Sequence, residues 1–317
     1  MQLSECPFLK RRHFPAAVKY RDNMVLLCNE VMVLSKIKIG TCLKGQEILS
    51  RLPEIIQSGF ETVELYIAET LGGIDFVETS KRVEEILGDS GVTVSSIGFY
   101  CNPLQDDRGR KELEYCIDNA HLFHASIVCT FAGALSGSSV EGSMPKYKEV
   151  FGELAKRAEA KNVKIGLENV HMYGFWYRTT WNIGFCPKAW EMMFDAVSSN
   201  SVGLEWEPSH QLEQFIDPIA QLKEWMPRIV HIHGKDAAVD REYVKKYGAW
   251  FGSPYCQHRF PGLGDSDWRE IFTILEQGGY SADIAIEGFH DPVYCGEREM
   301  EGQRNALHYL KECRENR

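Results

Sequence analysis

Eight short runs of β-forming residues, separated by stretches with helical periodicity, constrain this chain more than any other feature. The runs are KIKIG (36–40), TVELYI (62–67), VTVSSIGF (92–99), SIVCTFA (126–132), VKIGLE (163–168), SVGLEW (201–206), IVHIHG (229–234) and DIAIEG (283–288). Between them, residues 111–123 place Leu113, Cys116, Ile117, Ala120 and Phe123 on one helical stripe, and residues 147–160 read as a second helix. Alternating strands and helices build a parallel sheet. Eight such units fit an α/β fold of one closed (β/α)8 TIM barrel, for which a length of about 250 residues or more is ordinary. The 317 residues are thus expected to form a barrel over 32–317 behind an N-terminal extension, 1–31.

Strand parity shows which face is polar. Val163, Ile165 and Leu167 alternate with Lys164, Gly166 and Glu168; Val230 and Ile232 alternate with His231 and His233; Ile284 and Ile286 alternate with Ala285 and Glu287. The apolar face meets the helices, and the polar face points into the barrel, where charges must be paired or coordinated. Two long connections, 169–187 and 236–267, follow strand C-termini, where barrels build active sites, and are expected to cover a substrate.

Four strand-end residues converge in such a barrel: Glu168, Glu207, His233 and Glu287. Three carboxylates and one imidazole suit a divalent ion, Mn²⁺ first, with Mg²⁺, Co²⁺ or Zn²⁺ as alternatives. A net charge of -10 offers no basic footprint for nucleic acid. No apolar run reaches the roughly 20 residues of a membrane span. Residues 1–31 imitate a signal peptide with MVLLCNEVMVL, but Asn29 and Glu30 interrupt its core and no small-residue cleavage site follows. The ten cysteines are scattered without a C-x-x-C pair, which points to a reducing, cytoplasmic compartment.

The pieces GFETVEL, Asn102-Pro103-Leu104, LENVH, GLEWEPSH, HIHGKD, HRFPGLGDSDW and AIEGFHDP resemble the sugar phosphate isomerase/epimerase family of xylose-isomerase-like barrels, over about residues 36–313. That resemblance implies metal ligands at Glu168, Glu207, His233 and Glu287, with His210 and Arg259 touching substrate oxygens. The family usually has Asp where Glu207 stands, an arm shorter by about 1.5 Å. The expected chemistry is an isomerase or epimerase acting on a keto sugar or related polyol. A metal-stabilised enediolate forms as Glu168 and Glu287, the catalytic pair, exchange the proton α to the carbonyl.

A lyase outcome on an oxidised glycoside follows from the same proton abstraction. The resemblance then implies a small partner subunit; otherwise the expected partners are a sugar and further copies of the chain. A sugar-binding barrel with a degenerate site is a third reading. An endonuclease is disfavoured, because GFYCNPL and TFAGALSG lack the histidines such barrels carry and QHR stands where Asp-x-His is expected. His171 either lines the pocket or caps its loop. Lys235 either fixes an oxyanion or pairs with Asp236, and Glu205 either supports the ligands or pairs with Lys164 or Lys235. Trp176, Tyr177 and Trp181 either stack on the ligand or pack against another subunit, and His290 shapes the last loop or faces substrate. His121 and His124 are read as structural.

Overall fold

A computed structural model describes residues 37–249 and 252–316; the expected extension, 1–31, lies outside them. Seven strands come first: β1 Ile39–Lys44, β2 Thr62–Ala68, β3 Thr93–Tyr100, β4 Ile127–Thr130, β5 Lys164–Glu168, β6 Val202–Trp206 and β7 Ile229–Gly234. A hairpin, β8 Asp236–Val239 and β9 Cys256–Arg259, precedes the last barrel strand, β10 Ile284–Ile286. β1 to β7 and β10 close a parallel barrel, with Ile39 paired to Ile284 and Ile284 to Ile232 at the seam. Helices surround it, as the alternating pattern requires.

The first strand departs from its expected span of 36–40 and runs to Lys44. Its Thr41 and Cys42 are both buried on opposite sides of the strand, Thr41 donating to Gln303 at 2.9 Å and Cys42 lying inside beside Glu64 and His233. The 236–267 connection is not a plain loop: β8 and β9 pair antiparallel, Asp236 opposite Arg259, and a helix Arg241–Tyr247 lies between them. Asp236 accepts the backbone N–H of Ala237 at 2.8 Å and of Ser266 at 3.0 Å. It is therefore a loop brace and not the partner of Lys235.

Alternation holds around the barrel. Val63, Leu65, Phe99, Val128, Ile165, Leu204, Ile232 and Ile284 belong to the shared apolar core. Glu64, Ser96, Glu205, His231 and His233 are buried too, and they bond to one another. The predicted helix at 111–123 is Asp107–Asn119 followed by a 3-10 turn, Ala120–Phe123, and all five predicted stripe residues are buried. His124 ends that turn at φ 57°, outside the cavity lining, as does His121. The first strand is tied to the C-terminal helix, Glu299–Glu315. Arg314 donates to Glu61 at 2.6 and 3.0 Å and to the Ile37 carbonyl at 2.7 Å, while Glu61 accepts the Ile39 N–H at 2.9 Å.

Candidate metal centre and substrate cavity

The C-terminal ends of four strands bring Glu168, Glu207, His233 and Glu287 together, with one ligand atom from each inside a span of 4.8 Å. Side-chain amides set the height of the first two. Asn169 brackets Glu207, accepting its N–H at 2.7 Å and donating to its carbonyl at 2.8 Å. Asn182 donates to the Glu168 and Val170 carbonyls at 2.9 and 2.8 Å. Such pairing is what a buried loop backbone requires.

The buried carboxylates of this group perturb one another. Burial, reinforced by the charges of Glu207 and Glu287, pushes the Glu168 carboxyl well above its usual range. Burial likewise raises Glu287 to about 7, against the pull of Lys235. Glu207 is held well below its usual range, because the charges of His210 and Lys235 outweigh its burial. Among the described residues, Glu207 Oε2 and His233 Nδ1 are buried without a hydrogen-bond partner, and they lie 3.5 Å apart. His233 Nδ1 is also 3.5 Å from Glu287 Oε2. Converging, unsatisfied oxygen and nitrogen donors fit a divalent ion.

Glu207 is accommodated despite its length. The Ser209 hydroxyl donates to its Oε1, and His210 Nε2 approaches the same atom at 3.1 Å, leaving Oε2 for the ligand group. Behind the group, His233 Nε2 faces Glu205 Oε1 at 3.0 Å, and Tyr100 donates to Glu205 and Glu64 at 3.0 and 2.9 Å. With Nε2 turned to Glu205, Glu64 and Tyr100, Nδ1 is the ring nitrogen that faces the ligand group. Glu205 thus supports His233 and does not pair with Lys164, whose Nζ donates to the Asn200 carbonyl at 2.8 Å.

Lys235 is buried with its Nζ 3.0 Å from Glu287 and 3.6 Å from Glu207. Above it opens a cavity of about 1030 Å³, lined by Glu168, His171, Trp176, Trp181, His210, Lys235, Glu287 and His290 among others. His171 lines the cavity and also braces its loop, its Nδ1 accepting the Tyr173 N–H at 3.0 Å. Trp176 and Trp181 face the cavity, whereas Tyr177 is 84% exposed and does not line it. His290, Glu69 and Met172, all cavity-lining, hold φ of 74°, 62° and 46°; such backbone costs energy and clusters at functional sites.

Arg259 is not brought to the cavity. Its Nε donates to Asp291 at 3.0 Å, and it lies outside the lining residues. Successive residues of a strand point to opposite sides, so the neighbouring His258 turns inward in its place. His258 carries no local signal in the sequence, since alternation leaves it and Arg259 equivalent until the side that faces the cavity is known. Glu213 is a further addition to the expected set, its Oε2 lying 3.1 Å from His171 Nε2, 3.7 Å from His210 Nδ1 and 3.6 Å from His258 Nε2. The spacing of Glu213 three residues after His210, one helical turn on, was the available signal.

Comparison with known proteins agrees with this fold. A family model described as the xylose isomerase-like TIM barrel matches residues 52–313. An inosose dehydratase of Clostridium tetani is 27% identical over 176 residues, covering 50% of this chain and 56% of that protein. The chain thus spans about half the length of the curated relatives it matches. The solved structure of 3-keto-D-glucoside 4-epimerase from E. coli aligns with a TM-score of 0.65 at 17% identity, covering 88% of this chain and 100% of that one. That of an L-ribulose 3-epimerase aligns at 0.64 and 17%, covering 88% and 96%. The chain belongs to the xylose isomerase-like TIM barrel family.

Proposed function

We propose that this protein is a metal-dependent enzyme that removes the proton α to the carbonyl of a keto sugar or cyclic polyol ketone, as an isomerase or epimerase. The observation that carries the reading is the convergence of Glu168, Glu207, His233 and Glu287 around the unpaired Glu207 Oε2 and His233 Nδ1. A divalent ion held by these four would polarise the ketone oxygen and stabilise the charge that develops as the proton leaves. Glu168 and Glu287, facing the cavity from different strands, take the proton and return it. His210 Nε2, 3.8 Å from Glu168 Oε1, orients a substrate hydroxyl, and Lys235 holds Glu287 in place.

A lyase outcome is the second reading, favoured by the match to an inosose dehydratase. The same α proton is removed, and the hydroxyl on the next carbon leaves as water after protonation from the histidine-lined wall.

The test is incubation in D₂O with Mn²⁺ or Mg²⁺ and a panel of keto sugars and inosose, read by mass spectrometry. One deuterium gained without loss of mass supports epimerisation or isomerisation. Loss of one water supports the lyase. Metal-loaded protein that neither exchanges a proton nor releases water across the panel sinks both, as does near-normal turnover and metal content in both Glu168→Gln and Glu287→Gln.

A further inference from the structure

His171, His210, His258 and His290 all line the cavity, and the ring protons of two of them follow from their neighbours. His171 Nδ1 accepts the Tyr173 N–H at 3.0 Å, which leaves its proton on Nε2, 3.1 Å from Glu213 Oε2. His171 therefore donates to Glu213 and braces the wall. His258 has the opposite arrangement. Its Nδ1 lies 3.2 Å from the Ser209 hydroxyl oxygen. A hydroxyl has one hydrogen to give, and Ser209 gives it to Oε1 of Glu207, a carboxylate that only accepts. The Ser209 oxygen must then accept from His258, so the proton of the neutral ring stands on Nδ1 and Nε2 keeps its lone pair.

That lone pair looks out on Glu213 Oε2, 3.6 Å away. The separation is too long for a direct hydrogen bond, and both atoms are acceptors, so a hydroxyl suits the space between them. Burial, helped by the charges of His210 and Lys235, holds the His258 ring below its usual range against the pull of Glu213. It rests as a neutral base at pH 7. The reacting centre is close: a ring nitrogen of His258 lies within 4.8 Å of ligand atoms of Glu207 and His210, and the His258 and His210 rings have centroids 5.0 Å apart.

A proton exchanged on carbon by Glu168 and Glu287 is enough for epimerisation. Moving a carbonyl to the neighbouring carbon also requires a proton to pass between two oxygens, a task the carboxylate pair does not cover.

We infer that His258 is a catalytic base acting on oxygen, and that the site moves the carbonyl of a hydroxy ketone to the adjacent carbon. This rests on the α-proton chemistry proposed above. Once a carboxylate has taken the α proton, Nε2 removes the proton of the hydroxyl on that same carbon. The O–H electrons close a new carbonyl there, and the enediolate double bond takes the carboxyl proton at the old carbonyl carbon. Nε2–H then gives its proton to the old carbonyl oxygen. Carboxyl and imidazole end as they began, and no oxidant or reductant enters. A neutral Nε2 has no proton to give a departing hydroxyl, so the arrangement favours carbonyl migration over loss of water.

The probes are D-fructose, L-ribulose and inosose with the full chain loaded with Mg²⁺. Carbonyl migration is read by NMR of the sugars and α exchange by mass spectrometry in D₂O. The ring tautomer is read by ¹⁵N NMR of the protein, with His258→Gln assigning the His258 signals. The native ring is expected in its Nδ1–H form. His258→Gln is expected to lower carbonyl migration about 100-fold or more, the scale of a lost acid–base group, and to lower α exchange far less.

Alpha exchange without carbonyl migration in the native protein overturns the inference and leaves the α-proton chemistry standing. Loss of water in place of migration does the same. An Nε2–H tautomer overturns it, as does an equal fall of migration and exchange in His258→Gln, the mark of a structural role. Native protein that neither exchanges, migrates nor releases water sinks the α-proton chemistry and this role with it.

Discussion

Glu205 and Glu207 show how two carboxylates on one strand, two residues apart, take different work. Glu205 points into the sealed barrel, where it accepts from Tyr100 and pairs with His233 Nε2 at 3.0 Å. Its replacement by Gln removes the negative charge that faces His233 Nε2 at 3.0 Å. Partners of this kind are worth about 10–100-fold in metal affinity, so Glu205→Gln is expected to bind Mn²⁺ weaker by that factor in a calorimetric titration. Glu207 lies just beyond the strand and reaches the ligand group with its full length. Glu207→Asp shortens the arm by about 1.5 Å, withdrawing Oε2 from a position 3.5 Å from His233 Nδ1. Metal affinity is expected to fall in the same titration with little change in the metal-free melting temperature. Equal or tighter binding would show that the backbone here suits the shorter residue.

At the scale of elements, a one-turn helix and a hairpin complete the cavity. The helix Pro208–Glu213 carries His210 and Glu213 on neighbouring positions of one face, and β9 presents His258 toward the same carboxylate. The three histidines flanking Glu213 come from three separate segments. Together they hold the Glu213 carboxyl far below its usual range, overcoming the burial that would raise it. Glu213→Ala removes the hydrogen-bond partner of His171 and the charge that the other two face. Loss of such a bond costs about 1–3 kcal/mol, so kcat/KM is expected to fall roughly tenfold or more, mainly through KM. A purely structural role would instead appear as a lower melting temperature with KM unchanged.

For the whole molecule, the first strand is tied to the C-terminal helix through Arg314 and Glu61. Burial raises the Glu61 carboxyl, but the Arg314 guanidinium and the Ile39 N–H outweigh it and hold the group below its usual range. A depressed folded value means that this stability is present above the unfolded pKa of about 4.3 and is lost as pH falls through the folded value. Glu61→Gln is expected to cost about 1–2 kcal/mol at pH 7, read by denaturant unfolding, with the difference from the native protein shrinking below about pH 4. The barrel itself was legible because β periodicity, helical stripes and inward parity are local properties of the chain, and so was the convergence of Glu168, Glu207, His233 and Glu287 at successive strand ends. Only the tertiary structure decided that His258 and not Arg259 faces the cavity, that Lys235 engages Glu287 and not Asp236, and that Glu213 gathers His171, His210 and His258. Those contacts depend on a hairpin twist and on side-chain reach between segments far apart in sequence, and no local periodicity carries either.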